Sequence, residues 1–320
     1  MQSSRSPFAS IYRVSCACRA VRFQESVDRL PTISYFARGN FRNFRFGIIA
    51  YFDRTVTLVF CATLFATATN RLAAQEAATA QENFRVESQI FADSGEAPVA
   101  ENLTLFNGHM VYDFQMTTDG SNEVAEIVIF DQRNRQLVLL DLKRELRTDI
   151  AEFELLKIVE NLRTISEVDE DTNFLLNPQF ETEVDLKGRS ITLSNDQMTY
   201  RATGAENSQT ERLAIYYDSM DQLTRLSASD PTRLPPFPRL ALNREIRRNG
   251  FFPAEVEVTY RAGAVTKNEL NARSKQTPVW QLSNEDRKRI ELAKRQWIQF
   301  EKVTLGTYRG LDPQAANDTR

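Results

Sequence analysis

Cysteine is nearly missing from this 320-residue chain, and the three that occur (Cys16, Cys18 and Cys61) all precede residue 75. Behind that point the chain can form neither a disulfide nor a thiolate zinc site, and a thiol protease is excluded. A body of this size folds without such staples. Histidine is scarcer still. His109 is the single one; as a catalytic base it would need a positioned nucleophile and an orienting acid. Neither a Gly-x-Ser-x-Gly elbow nor a Ser-x-x-Lys motif occurs, so His109 reads as a structural or surface residue. The 11 glycines are scattered, and no phosphate loop, dinucleotide fingerprint or His-Glu-x-x-His is present. No cofactor and no metal is expected. The run Asp169-Glu170-Asp171-Thr172-Asn173 imitates the start of a calcium loop, but Phe174 and Phe180 stand where such a loop needs Gly and Glu. It reads as a solvated acidic turn.

Charge is lopsided. Residues 1–74 hold ten arginines, no lysine and three acids (Glu25, Asp28 and Asp53). Of the 40 basic and 43 acidic residues in the chain, 30 and 40 lie behind residue 74, a net of −10. A surface of that sign repels phosphate backbones, so nucleic acid is not an expected partner of that part. Residues 55–69 are the most apolar stretch, with Arg42, Arg45 and Arg54 before them and Leu72-Ala73-Ala74-Gln75 after them. Positive, apolar, then small is the order of a secretory signal. The expectation is a signal peptide over 55–74, cut between Ala74 and Gln75, with a second possible cut after Ala80. The stretch is short of the roughly 20 residues that span a bilayer, which argues against a permanent membrane span. Residues 1–54 are expected to be an extension without stable fold, or sequence upstream of the true start. A linker over 75–83, one domain over 84–310 and a flexible tail over 311–320 complete the organisation, with a periplasmic or secreted location.

Within the domain, a period of two takes over. Leu103 and Leu105 alternate with polar neighbours, and Met110, Tyr112, Phe114 and Met116 share one strand face. Glu126–Asp131 and Gln136–Asp141 flank a polar tip and predict a hairpin whose strands are apolar on both faces. Something must cover each side, or one face lines a cavity. Asp149 with Glu152 predicts a helix start, followed by Phe153, Leu156, Val159, Leu162 and Ile165 at helical spacing, with Ile150, Leu155 and Ile158 widening the stripe. Further strands are predicted over 181–186, 190–193, 197–202 and 255–260. Helices are predicted over 210–227, from the proline cluster to Asn249-Gly250, and from Ser283 onward, with a closing strand at 303–308. No internal repeat is evident. Hairpin-joined strands with helices in series give an α+β class: a mainly antiparallel sheet with inserted and C-terminal α-helices.

Two carboxylate pairs, Asp131 with Asp141 and Asp218 with Asp221, could do acid–base work if buried together. Arg133 and Arg135 could meet an anion at the hairpin tip, though exposed loop charge is the favoured reading. The Met110–Tyr112–Phe114–Met116 face is more often core than ligand pocket, but it is the leading ligand-site candidate, because flexible methionines suit varied apolar ligands.

The order of export signal, strands, apolar hairpin 126–141 and following helix resembles the periplasmic lipoprotein-carrier family over roughly residues 84–205. That resemblance implies a half-barrel sheet with a helical lid and binding of acyl chains in an apolar cavity. No family motif is matched residue by residue, so it assigns no binding residues. The expected function is a non-enzymatic exported protein binding an apolar small molecule, a lipid or an envelope protein. The alternatives are an exported carboxylate-dependent hydrolase and a structural interaction module.

Overall fold

The computed structural model describes residues 83–93, 95–117, 123–164, 170–205, 210–262 and 268–311. The expected leader with its Ala74–Gln75 cut, the extension before it, and nearly all of the linker and tail lie outside the described residues.

Twelve strands form one open sheet among the described residues. They are β1 (Phe84–Ala92), β2 (Ala100–Asn107), β3 (Met110–Met116), β4 (Val124–Asp131), β5 (Gln136–Asp141), β6 (Leu146–Ala151), β7 (Glu181–Asp185), β8 (Ser190–Ser194), β9 (Met198–Ala205), β10 (Phe252–Ala262), β11 (Asn268–Val279) and the two-residue β12 (Glu301–Lys302). The order across the sheet is β12-β6-β5-β4-β3-β2-β1-β11-β10-β9-β8-β7. Neighbours are antiparallel except β6 and β12, which are parallel. The helices are α1 (Glu152–Arg163), α2 (Glu170–Leu176), α3 (Thr210–Leu226), α4 (Phe237–Asn249), α5 (Asn284–Gln299) and α6 (Leu305–Tyr308). The α+β expectation therefore holds in its coarse form, with strands dominating.

Both faces are covered around the β4–β5 hairpin, as its doubly apolar strands require. One face carries Phe84, Val86, Phe106, Val111, Val128, Phe130, Leu137 and Leu139, and packs with Leu155 of α1, Leu213, Tyr216 and Tyr217 of α3, and Leu242 and Ile246 of α4. The opposite face carries Leu103, Leu105, Tyr112, Phe114, Ile127, Ile129, Val138 and Leu140 under Ile290 and Ala293 of α5. Helix α5 starts where the sequence places it: Ser283 accepts the Asp286 amide at 3.1 Å while the Asp286 carboxylate accepts the Ser283 amide at 2.8 Å. Helix α4 ends at Gly250, whose φ of 70° is the left-handed conformation glycine adopts without cost. Gly204 answers a different need, since a Cβ there would sit 2.4 Å from the Phe251 ring.

Three hairpins share one turn. In β4–β5, β5–β6 and β7–β8, an aspartate (Asp131, Asp141 or Asp185) ends the first strand and its Oδ1 accepts the amides two and three residues on, at 2.8–3.1 Å. The residue before the second strand, Arg135, Glu145 or Arg189, takes φ of 51°, 54° or 49°. The side-chain oxygen stands in for a backbone acceptor and closes a four-residue loop without a glycine at its left-handed position. The sequence counterpart, Asp-x-Arg/Lys-x-Arg/Glu, is a five-residue echo too short to read as a repeat unit.

Three expectations are corrected. Asp149 and Ile150 do not open a helix; they continue the β5 pairing opposite Val138 and Leu137, and α1 begins at Glu152. Its inward stripe is Leu155 and Val159, while Phe153 and Leu156 are exposed, because Glu152 is tied to Arg135 and Gln222 and sets the helix's rotation. Residues 170–173 open α2, drawn in by buried Leu175 and Leu176. Residues 305–308 are helical rather than a strand, since Thr304 caps that turn by accepting the Thr307 amide at 3.1 Å.

The Asp131 carboxyl is raised by burial, but the Asn134 and Arg133 amides more than offset this and hold it below the usual carboxylate range. A depressed carboxyl stabilises the fold above the unfolded pKa, and that stability is lost as pH falls through the folded pKa. Asp131→Ala is expected to cost about 1–3 kcal/mol at neutral pH. In urea unfolding series the deficit relative to the parent should shrink on acidification.

Candidate functional site

Alternation in β3 sends its side chains to two different environments. Met110, Tyr112, Phe114 and Met116 face α5. Tyr112 pairs with Leu105 and Ile129, and Phe114 with Leu103 and Ile127, so a square of apolar side chains surrounds the phenol. Tyr112 and Phe114 are buried; Met110 and Met116 are partly buried at the margins of the layer. Helix α5 is pinned over it from its ends. Arg85 reaches both Asp286 oxygens at 3.2 and 3.3 Å. Arg147 donates to the Trp297 carbonyl, and Lys302 pairs with Asp149 at 2.8 Å. The Tyr112 hydroxyl, with 0% of the residue exposed, meets no hydrogen-bond partner among the described residues. Burial, with smaller contributions from Glu291 and Asp131, pushes this phenol up to about 12.

The intervening residue, Asp113, faces the other helices. It is buried and accepts hydrogen bonds from Thr104 Oγ1 at 2.7 Å and Gln115 Nε2 at 3.2 Å. Gln115 in turn accepts from Arg233 at 3.2 Å, and Arg233 pairs with Asp230 at 3.4 Å. Glu126, opposite Gln115 on β4, accepts from Tyr308 Oη at 2.9 Å and Arg309 at 3.0 Å. Burial raises the Asp113 carboxyl, its two hydrogen bonds pull against that, and Glu126 adds to the rise; the net is upward. At the other end of this face, Arg135 grips Glu152 at 2.5 Å and Asp218 at 2.9 Å.

The anticipated carboxylate pairs are not assembled. Asp131 and Asp141 each cap their own turn, Asp218 binds Arg135, and Asp221 binds Arg247 at 3.0 Å. Arg135 is engaged by protein carboxylates, and Arg133 stands exposed in the turn. His109 lies in the β2–β3 turn, where its carbonyl accepts the Gln132 amide at 3.0 Å. Asp169 lies outside the described residues. Among the described residues, no group of three or more His, Cys, Asp or Glu is arranged to hold a metal, and no helix is long and apolar enough to cross a membrane. Sequence reasoning missed Asp113, although Val111 on the same strand face already signalled that this face is not solvent-facing.

The fold defines the class: a large open, mostly antiparallel sheet with most of its helices on one face and α5 on the other over β2–β5. No protein-family profile and no curated protein matches the chain. Solved structures that are similar to it include PNGF-II in two crystal forms, at 7% and 8% identity and TM-scores of 0.29 and 0.31. Each match covers 72% of this chain and about a third (32% and 33%) of that protein's length. A LolA superfamily protein from Nitrosomonas europaea is similar at 8% identity and a TM-score of 0.27, over 64% of this chain and 89% of its own.

A raised carboxyl favours the protonated native state, so its ionisation erodes stability as pH climbs above the ordinary carboxylate range. Asp113→Asn is therefore expected to raise the melting temperature at neutral pH, and to do so less in acid. Calorimetric scans of both proteins across that range check it, and an equal effect at every pH would refute the assignment.

Proposed function

We propose that this chain is an exported, non-enzymatic binding protein of the envelope or extracellular space. It takes a ligand with an apolar body and one hydrogen-bonding group between the Met110–Tyr112–Phe114–Met116 face and α5. The Tyr112 hydroxyl carries this reading. A buried hydroxyl without a partner costs about 1–3 kcal/mol, and phenylalanine would fill the same space without that cost. A ligand donor or acceptor would satisfy it. Met110 and Met116 supply adaptable walls. Only Ile290 and Ala293 of α5 are fully buried apolar contacts, while its anchors are polar and sit at its ends. Such a cover can be shifted by a ligand that binds the open arrangement better.

A second reading, a structural interaction module, is favoured by the filling of the same layer. Eight of its apolar sheet side chains are 8% exposed or less. The hydrolase alternative finds its proposed acid pairs bound elsewhere.

Native mass spectrometry of the protein from its own envelope fraction separates these readings. The expected result is a mature N-terminus at Gln75 and a co-purifying apolar small molecule, lost in Tyr112→Phe while the melting temperature of that variant stays level or rises. Repeated absence of added mass from the parent protein would leave only the interaction module.

A further inference from the structure

Strand β7 closes one end of the sheet, pairs only with β8, and has all five residues exposed. The backbone groups of its other edge meet no strand among the described residues. A concavity lies on each side of it. On the face of α4, a cavity of about 250 Å³ is lined by Val184, Leu186 and Phe251, with Asp185 and Arg189 at the turn and the α4 terminus at Asn249 and Gly250. On the opposite face, a groove of about 460 Å³ is lined by Glu183, Asp185, Glu257 and Arg201 among hydroxyl side chains. The register explains the division. Val184 lies opposite Ile191, which is buried towards the helices, and Glu183, Thr192, Arg201 and Glu257 form one row across the other face.

From this placement we infer that β7 is a docking edge for an extended segment of another protein, with basic side chains on one face and apolar side chains on the other. An added strand takes its main-chain hydrogen bonds from the free edge and drops alternate side chains into the two concavities. Its apolar positions meet Val184, Leu186 and Phe251; its basic positions meet Glu183, Asp185 and Glu257. Neither Glu183 nor Glu257 is held in an ion pair among the described residues. The charge also selects against a second copy of this chain, because Glu181, Glu183 and Asp185 on two facing edges would repel. The inference is independent of the ligand site under α5.

The test is titration of the mature chain with a synthetic peptide of alternating lysine and valine, read by hydrogen exchange. Protection is expected to rise over residues 181–186 and to fall away with added salt. The double variant Glu181→Lys with Glu183→Lys should bind roughly tenfold more weakly. Both positions are exposed, so an unchanged melting temperature would confirm that the variant folds. Protection elsewhere on the sheet, equal binding by the double variant, or equal binding of an alternating glutamate–valine peptide would each overturn the inference. A dimer of the parent joined through 181–185 would overturn the choice of occupant.

Discussion

The structure hangs on the seam between β1 and β11. Strands β1 to β6 form one antiparallel meander and β7 to β11 another, and among the described residues their only direct connection in the sheet is the eight-residue register from Arg85–Val279 to Ala92–Ala272. An aromatic cluster clamps it on the helical face. Phe84 stacks on Phe106 at 4.0 Å and tilts against Trp280 at 5.5 Å. Tyr216 of α3 reaches Phe252 at 5.0 Å and Phe106 at 6.4 Å, and its hydroxyl donates to Gln276 of β11 at 2.5 Å. Side chains from both meanders and from α3 thus share one buried volume, and aromatic packing of this kind is directional as well as apolar.

Around that seam, arginines join helices to the sheet. Arg135 draws α1 and α3 to the β4–β5 tip, Arg309 ties the end of α6 to β4, and Arg85 fastens the start of α5 to β1. In each case the guanidinium meets a carboxylate that is buried or half-buried. Glu152 shows the effect: its hydrogen bond from Arg135 outweighs burial and lowers its carboxyl. Such pairs contribute orientation more than net stability, and orientation is what both proposed binding surfaces need.

Much of this was legible in the sequence because it is local. The hairpin 126–141 carries its own apolar runs and its own turn aspartate; α3, α4 and α5 carry apolar stripes, with a Gly250 stop and a Ser283 cap. Strand β11 was illegible. Asn268–Val279 is polar almost throughout, and its extended form is imposed by β1 on one side and β10 on the other. The face of Met110, Tyr112, Phe114 and Met116 was visible as alternation, but its cover was not, since α5 lies far downstream and nothing in β3 specifies it. Asp113 was half-hidden for the same reason: Val111 marks its face as apolar, but the burial of the carboxylate follows only from the helices on that side.

The seam also orders events in time. The three aspartate-capped hairpins need only their own neighbourhood and can close while the rest of the chain is still extended. β1, near the start of the described sequence, stays half-paired until β11 has arrived from almost two hundred residues away, and so distant a contact is slow to form. In the interval both meanders expose an unpaired backbone edge that is interior to the finished sheet. A chain caught before that pairing carries two adhesive borders, and the wait between those two strands sets how long they stay open.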